Sequence, residues 1–224
     1  MRVLLTGLMI CFTWESYSQI VIPLEKQKFK NILKYEKSLG TKAIFHDEKR
    51  ETGSLKLVDI SKYQSEKHLD VLPSGVGRDL REVRLQRTNE TFKPMTFVYY
   101  YFSPKDSLLR KAEFQWNVIN NQKDTFNDNW FDDYIVALGQ QKDRFNEYNN
   151  QFNVILDFLT IKLGTPKFLD KERVSKKDGT VEFWERKATW DTPKLKIEQK
   201  LGFSKKPDES GFGIYEIKLT LDYK

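Results

Sequence analysis

Two stretches of the chain carry apolar residues at helical spacing, and several others alternate apolar with polar positions. In the first, Phe29, Ile32, Leu33 and Leu39 fall on one stripe, predicting a helix over residues 24–39 with Gly40 as its C-terminal stop. In the second, Phe145, Tyr148, Phe152, Ile155, Leu159 and Leu163 recur at the same spacing, and Gly164 and Pro166 close it. A helical stretch leading into it starts near Asp128 or Asn129 and breaks around Gly139. Between these helices the period drops to two. Short strands are expected over 43–45 and 55–60, around a turn at 51–53, followed by a long polar loop over 61–79. Val83 and Leu85 alternate with Arg84 and Gln86, and residues 96–102 (TFVYYYF) are apolar or aromatic on both faces. Over 109–119, Ala112, Phe114, Trp116 and Val118 face one way and Lys111, Glu113, Gln115 and Asn117 the other. That alternation marks an antiparallel sheet with one face in water, and it predicts a buried Trp116. Strands over 181–190, 194–201 and 214–223 complete the pattern.

Each half thus reads helix, Leu-Gly-Thr, then antiparallel strands, with an Asn- and Asp-rich linker over 120–128. The expected class is α+β, built as two helix-plus-antiparallel-sheet units over 19–123 and 124–224. The tripeptides at 39–41 and 163–165 are identical, which raises an internal duplication; a one-residue slip between FKNIL and FNVIL counts against it.

The first 18 residues stand apart. Arg2 precedes an apolar run over 3–13, and Ser16 and Ser18 supply small residues for a signal peptidase. The run is too short to span a bilayer, and Ile10 before Cys11 does not suit a lipid-attachment site. We therefore expect a cleaved signal peptide, a mature terminus at Gln19, and a periplasmic or extracellular protein without a transmembrane segment. Cys11 is the only cysteine, so the mature chain would hold no disulfide, no thiolate nucleophile and no Cys-bound metal. The net charge of +6 comes from 38 basic against 32 acidic residues, a mixed surface rather than a nucleic-acid footprint. An anionic envelope component or a protein is the expected partner.

Candidate chemistry is sparse. His46-Asp47-Glu48 and His68-Leu69-Asp70 each set a carboxylate near an imidazole, but neither has the paired-histidine spacing of a zinc site. No Gly-x-Ser-x-Gly elbow is present, and the glycines over 74–78 lack the lysine and the strand–helix context of a phosphate loop. Asp128, Asp132 and Asp133 around Trp130 and Phe131 could supply paired carboxylates for a glycosidase, although capping of the following helix also explains them. No cofactor or metal is called for. The remaining candidates are binding residues. Tyr99, Tyr100 and Tyr101, with Trp130 and Trp184, are the aromatic set, and one face of the 96–102 strand should present an aromatic platform unless a second layer covers it. Lys26, Lys30 and Lys34 form a ladder on the first helix, suited to a solvated face or an anionic surface. The sequence thus points to an exported, non-enzymatic binding protein of inhibitor, immunity or envelope-assembly type. It would act through a sheet face or a groove between the units; the alternative is a carboxylate-dependent hydrolase of envelope polysaccharide.

Overall fold

A computed structural model describes residues 22–46, 55–59, 72–73, 80–87, 92, 96–117, 136, 139–140, 144–177, 180–204 and 215–224. The signal segment, His68, the 74–78 glycines, the acidic triplet at 128, 132 and 133, and Trp130 lie outside them.

Helix α1 (Phe29–Ser38) is only ten residues long and has neither a capping side chain at Lys28 nor an acidic first turn. Such a helix is marginal alone, so tertiary contacts must hold it. The Phe29 amide donates to Ser107 O at 2.9 Å, and the Leu109 amide donates to Gln27 O at 2.8 Å. These bonds hold residues 27–28 extended against the turn at 103–107, which is why the helix starts at Phe29 and not at the expected Leu24. Its other end is a Schellman stop. Gly40 has φ 68°, its amide donates to Lys37 O, and the Thr41 amide donates to Glu36 O.

The strands are β1 (Lys42–His46), β2 (Leu55–Asp59), β3 (Leu72–Pro73), β4 (Arg81–Arg87), β5 (Thr96–Phe102) and β6 (Leu109–Asn117). After α2 (Phe145–Leu163) come β7 (Phe168–Lys177), β8 (Thr180–Asp191), β9 (Leu195–Ser204) and β10 (Tyr215–Tyr223). β3 falls inside the expected loop. β7 was not expected at all: its sequence, FLDKERVSKK, is mostly charged, and its ladder with β8 is irregular at two places. Charge and irregularity are how an edge strand avoids unwanted pairing, and they also erase the alternation that betrays a strand.

All pairings among the described residues are antiparallel, and the strands form one sheet in the order β2-β1-β4-β5-β6-β10-β9-β8-β7, with β3 against β4. The fold is α+β with the sheet dominant. The expectation of a separate sheet for each unit is corrected here: the last strands of the two halves, β6 and β10, pair over seven residues from Asn117–Glu216 to Lys111–Asp222.

Register puts one apolar set on one face. Leu85, Val98, Phe114, Leu219, Ile197 and Trp190 stand in neighbouring strands and are buried. Both helices cover this face. Phe29 of α1 packs edge-on against Phe102, and Tyr148 of α2 against Phe203. Trp116 is 1% exposed, as its alternation required.

Candidate binding face

The other face carries no described helix. Its strip on β4, β5 and β6 holds Glu82, Arg84 and Gln86, then Phe97, Tyr99 and Tyr101, then Lys111, Glu113 and Gln115. Beyond the seam, β10 adds Glu216, Lys218, Thr220 and Asp222, and β9 adds Lys196, Glu198 and Lys200. Charges here are arranged in compensated sets. Glu113 takes Lys111 at 2.6 Å and Lys218 at 3.3 Å, while Glu198 takes Lys200 at 2.6 Å and Lys187 at 2.5 Å. Arg84 pairs with Glu82 on its own strand. The two cross-strand pairs, Lys218–Glu113 and Lys187–Glu198, stabilise the sheet modestly.

The aromatic row lies inside this charged field. Phe97 and Tyr99 are half-buried and meet edge to face at 6.5 Å, whereas Tyr101 is buried. The Arg84 guanidinium stands 5.8 Å above the Tyr99 ring and the Lys111 ammonium 5.5 Å above Tyr101, both cation–π contacts. Burial pushes the Tyr99 and Tyr101 hydroxyls up from their ordinary values, so both are protonated donors throughout the physiological range. Two carboxyls on adjacent strands diverge. Burial opposes ionisation of Glu113, but the Lys111 and Lys218 ammonium groups prevail and hold it below the usual range. Glu216 is pushed up by burial, with Lys218 opposing and Glu113 adding to the shift. These Glu, Arg and Lys groups were missed from sequence. Their signal was the i, i+2 alternation, but only the β6–β10 register brings Lys218 to Glu113.

The predicted site residues separate. Tyr99 and Tyr101 share the helix-free face. Tyr100 points the opposite way and is a core residue: its hydroxyl donates to Glu36 Oε1 at 2.6 Å. Arg87 completes that buried cluster, with Nη2 on Glu36 Oε1 at 2.6 Å and Nε on Oε2 at 3.2 Å, while the Thr41 hydroxyl donates to Oε2 at 2.7 Å. Burial opposes the Glu36 charge, but Arg87 and these hydrogen bonds keep its carboxyl below the usual value. The cluster ties α1 to the sheet, and its four side chains are buried. The Trp184 backbone pairs with Phe203 and Val174, and its side chain lies outside the described residues. Lys30 and Lys34 are exposed on α1. Lys26 precedes the helix and donates to Lys224 O at 2.8 Å, so it is not a rung of the expected ladder. His46 ends β1, opposite Leu55. Among the described residues no three His, Cys, Asp or Glu side chains gather closely enough to hold a metal, and no helix is long and apolar enough to cross a membrane.

Comparison with known proteins finds no matching family model, no similar curated protein and no similar solved structure.

Proposed function

We propose that this chain is an exported, non-enzymatic binding protein that engages a protein or another envelope component through the helix-free face around Phe97 and Tyr99. The aromatic row on that face carries the reading. Glu82, Gln86, Tyr101 and Glu113 are buried on this face, whereas Arg84, Phe97 and Tyr99 keep exposed area, so the accessible part of the row lies at Phe97 and Tyr99, where a position left to water normally carries a polar side chain. Aromatic residues beside arginine are the composition of interface hot spots. The row is flanked by Arg84, and Tyr99 keeps part of its ring accessible. Export rests on the first 18 residues, and intact-mass measurement should give a chain starting at Gln19. The test of the face is affinity capture from envelope extract with the wild-type chain and with Tyr99→Ala. Recovery should fall at least about tenfold, the size of one interface hot spot, with the circular dichroism spectrum unchanged. Equal recovery rules the face out.

We also read the two halves as a diverged duplication. Each runs from a helix with a glycine stop into a strand, and each ends in the strand at the central seam, so β6, β5, β4 and β1 answer to β10, β9, β8 and β7. The β2 and β3 strands are then an insertion in the first half.

A further inference from the structure

At the far side of the sheet, three large apolar residues stand in solvent. Ile161, in the last turn of α2, is 80% exposed; Phe168 and Leu169, which open β7, are 49% and 43% exposed. They belong to one end of the molecule. The Trp190 indole N–H donates to Gly164 O at 3.0 Å, tying the α2 terminus to β8, and the Lys167 amide donates to Thr189 O at 2.8 Å. Phe168 and Leu169 sit opposite Thr189 and Ala188 on an edge strand, so Phe168 lies on the helix-free face and Leu169 on the helix-covered one and the end of the strand presents both; its other side has no neighbour among the described residues.

The same end is rich in lysine. Lys167 lies 3.7 Å from Asp191, and Lys224 lies 2.5 Å from it. The Lys224 amide donates to Lys194 O, Lys26 donates to Lys224 O, and Lys196 stands across from Asp222. Lys162 follows Ile161 directly. Asp191 and Asp222 lie among these six lysines, and Glu25 and Asp157 stand beside Lys26 and one turn before Ile161, so cations are in excess. Lys30, exposed on the first turn of α1, extends the positive surface.

Exposed apolar side chains rimmed by lysines match one kind of surface. Lysine ammoniums are drawn to anionic headgroups, and the apolar residues gain by entering the boundary between headgroups and acyl chains. A soluble polyanion would use the lysines and leave Ile161, Phe168 and Leu169 without a role. We propose that this end of the molecule docks on an anionic lipid bilayer, with Phe168 and its apolar neighbours entering the headgroup region. The proposal is independent of the binding face, which lies on the helix-free side of the central strands.

Sedimentation with vesicles tests it, using the protein in the processed form its host accumulates. Vesicles of phosphatidylcholine with phosphatidylglycerol should carry the protein down, pure phosphatidylcholine should not, and added salt should release it. Lys167→Gln and Lys194→Gln should each weaken binding about fivefold. Paired Phe168→Ser and Leu169→Ser substitutions should weaken it about tenfold or more, with an unchanged melting temperature. In a Phe168→Trp variant, indole emission should shift to the blue on binding and be quenched by brominated lipid. Tyr99→Ala should leave vesicle binding untouched, so failure here and failure of the binding face can be told apart. Absence of binding to the anionic vesicles overturns the proposal. So does binding that the serine pair leaves intact, because that outcome describes a general polyanion site.

Discussion

Tyr99 and Tyr100 are neighbours in β5, yet they stand in opposite environments. Tyr100 is fully buried beneath α1, and its hydroxyl is fixed on a carboxylate that Arg87 also holds. Tyr99 is half-buried under a guanidinium, and among the described residues nothing hydrogen-bonds its hydroxyl. The difference lies in what covers each face of the sheet. Helices seal one face, where Glu36, Arg87, Thr41 and Tyr100 partner one another; on the other, Arg84, Phe97 and Tyr99 keep exposed area that can still accept contacts. Sealed polar clusters serve stability, and unsealed ones are where binding is to be sought.

If that contrast holds, the largest losses of stability come from the sealed face. Glu36→Ala removes the buried carboxylate that Arg87, Tyr100 and Thr41 share and should cost about 3–5 kcal/mol in denaturant melts. Trp116→Ala should cost a similar amount, about 3–5 kcal/mol, by emptying a large aromatic site. A small loss at both positions would mean that the helices do not seal this face. The two glycines sharpen the picture at intermediate size. Gly164 sits at φ 86° and ψ −176°, a conformation that side chains resist, so Gly164→Ala should lower stability by about 1–3 kcal/mol. Gly139 has helical backbone and open space around it, so Gly139→Ala should instead stabilise by up to about 1 kcal/mol. At the small end, Gln115→Ala on the helix-free face should change stability by well under about 1 kcal/mol.

Acid acts on Glu36 and Glu216 with opposite sign. The folded-state pKa of Glu36 is depressed below 4.5, so the stability its charge contributes is present above that value and is lost as pH falls through the lower, folded one. Glu36→Gln should therefore flatten the acid limb of the stability profile. Glu216 has a raised pKa, so its ionisation opposes folding as pH rises above 4.5, and Glu216→Gln should make the protein more stable near neutrality. Melting temperatures across pH 3 to 7, a span chosen around the ordinary carboxylate value, check both signs.

Much of the fold was legible because burial imposes period. The alternation over 109–117, the α2 stripe and both glycine stops appear where sequence placed them. What escaped was decided at a distance. The start of α1 depends on backbone bonds to the turn at Ser107, and β7 hides its pairing behind charge. The single sheet depends on the β6–β10 ladder, which no local pattern announces. The site was legible in part. The TFVYYYF run announced two occupied faces, but alternation alone could not say which held the core, so Tyr100 was grouped with Tyr99 and Tyr101. The carboxylates and cations around Tyr99 come from three other strands, and pairing, not sequence, assembles them.

The most direct test places a photoreactive benzophenone amino acid at Tyr99 and, separately, at Tyr100 and at exposed Lys34, and irradiates living cells. Position 99 should give a discrete crosslinked adduct, lost on additional Phe97→Ala, and positions 100 and 34 should give none. Adducts of equal yield from Lys34, or none from Tyr99 in a correctly folded and exported chain, would contradict the assignment of the helix-free face as the binding surface.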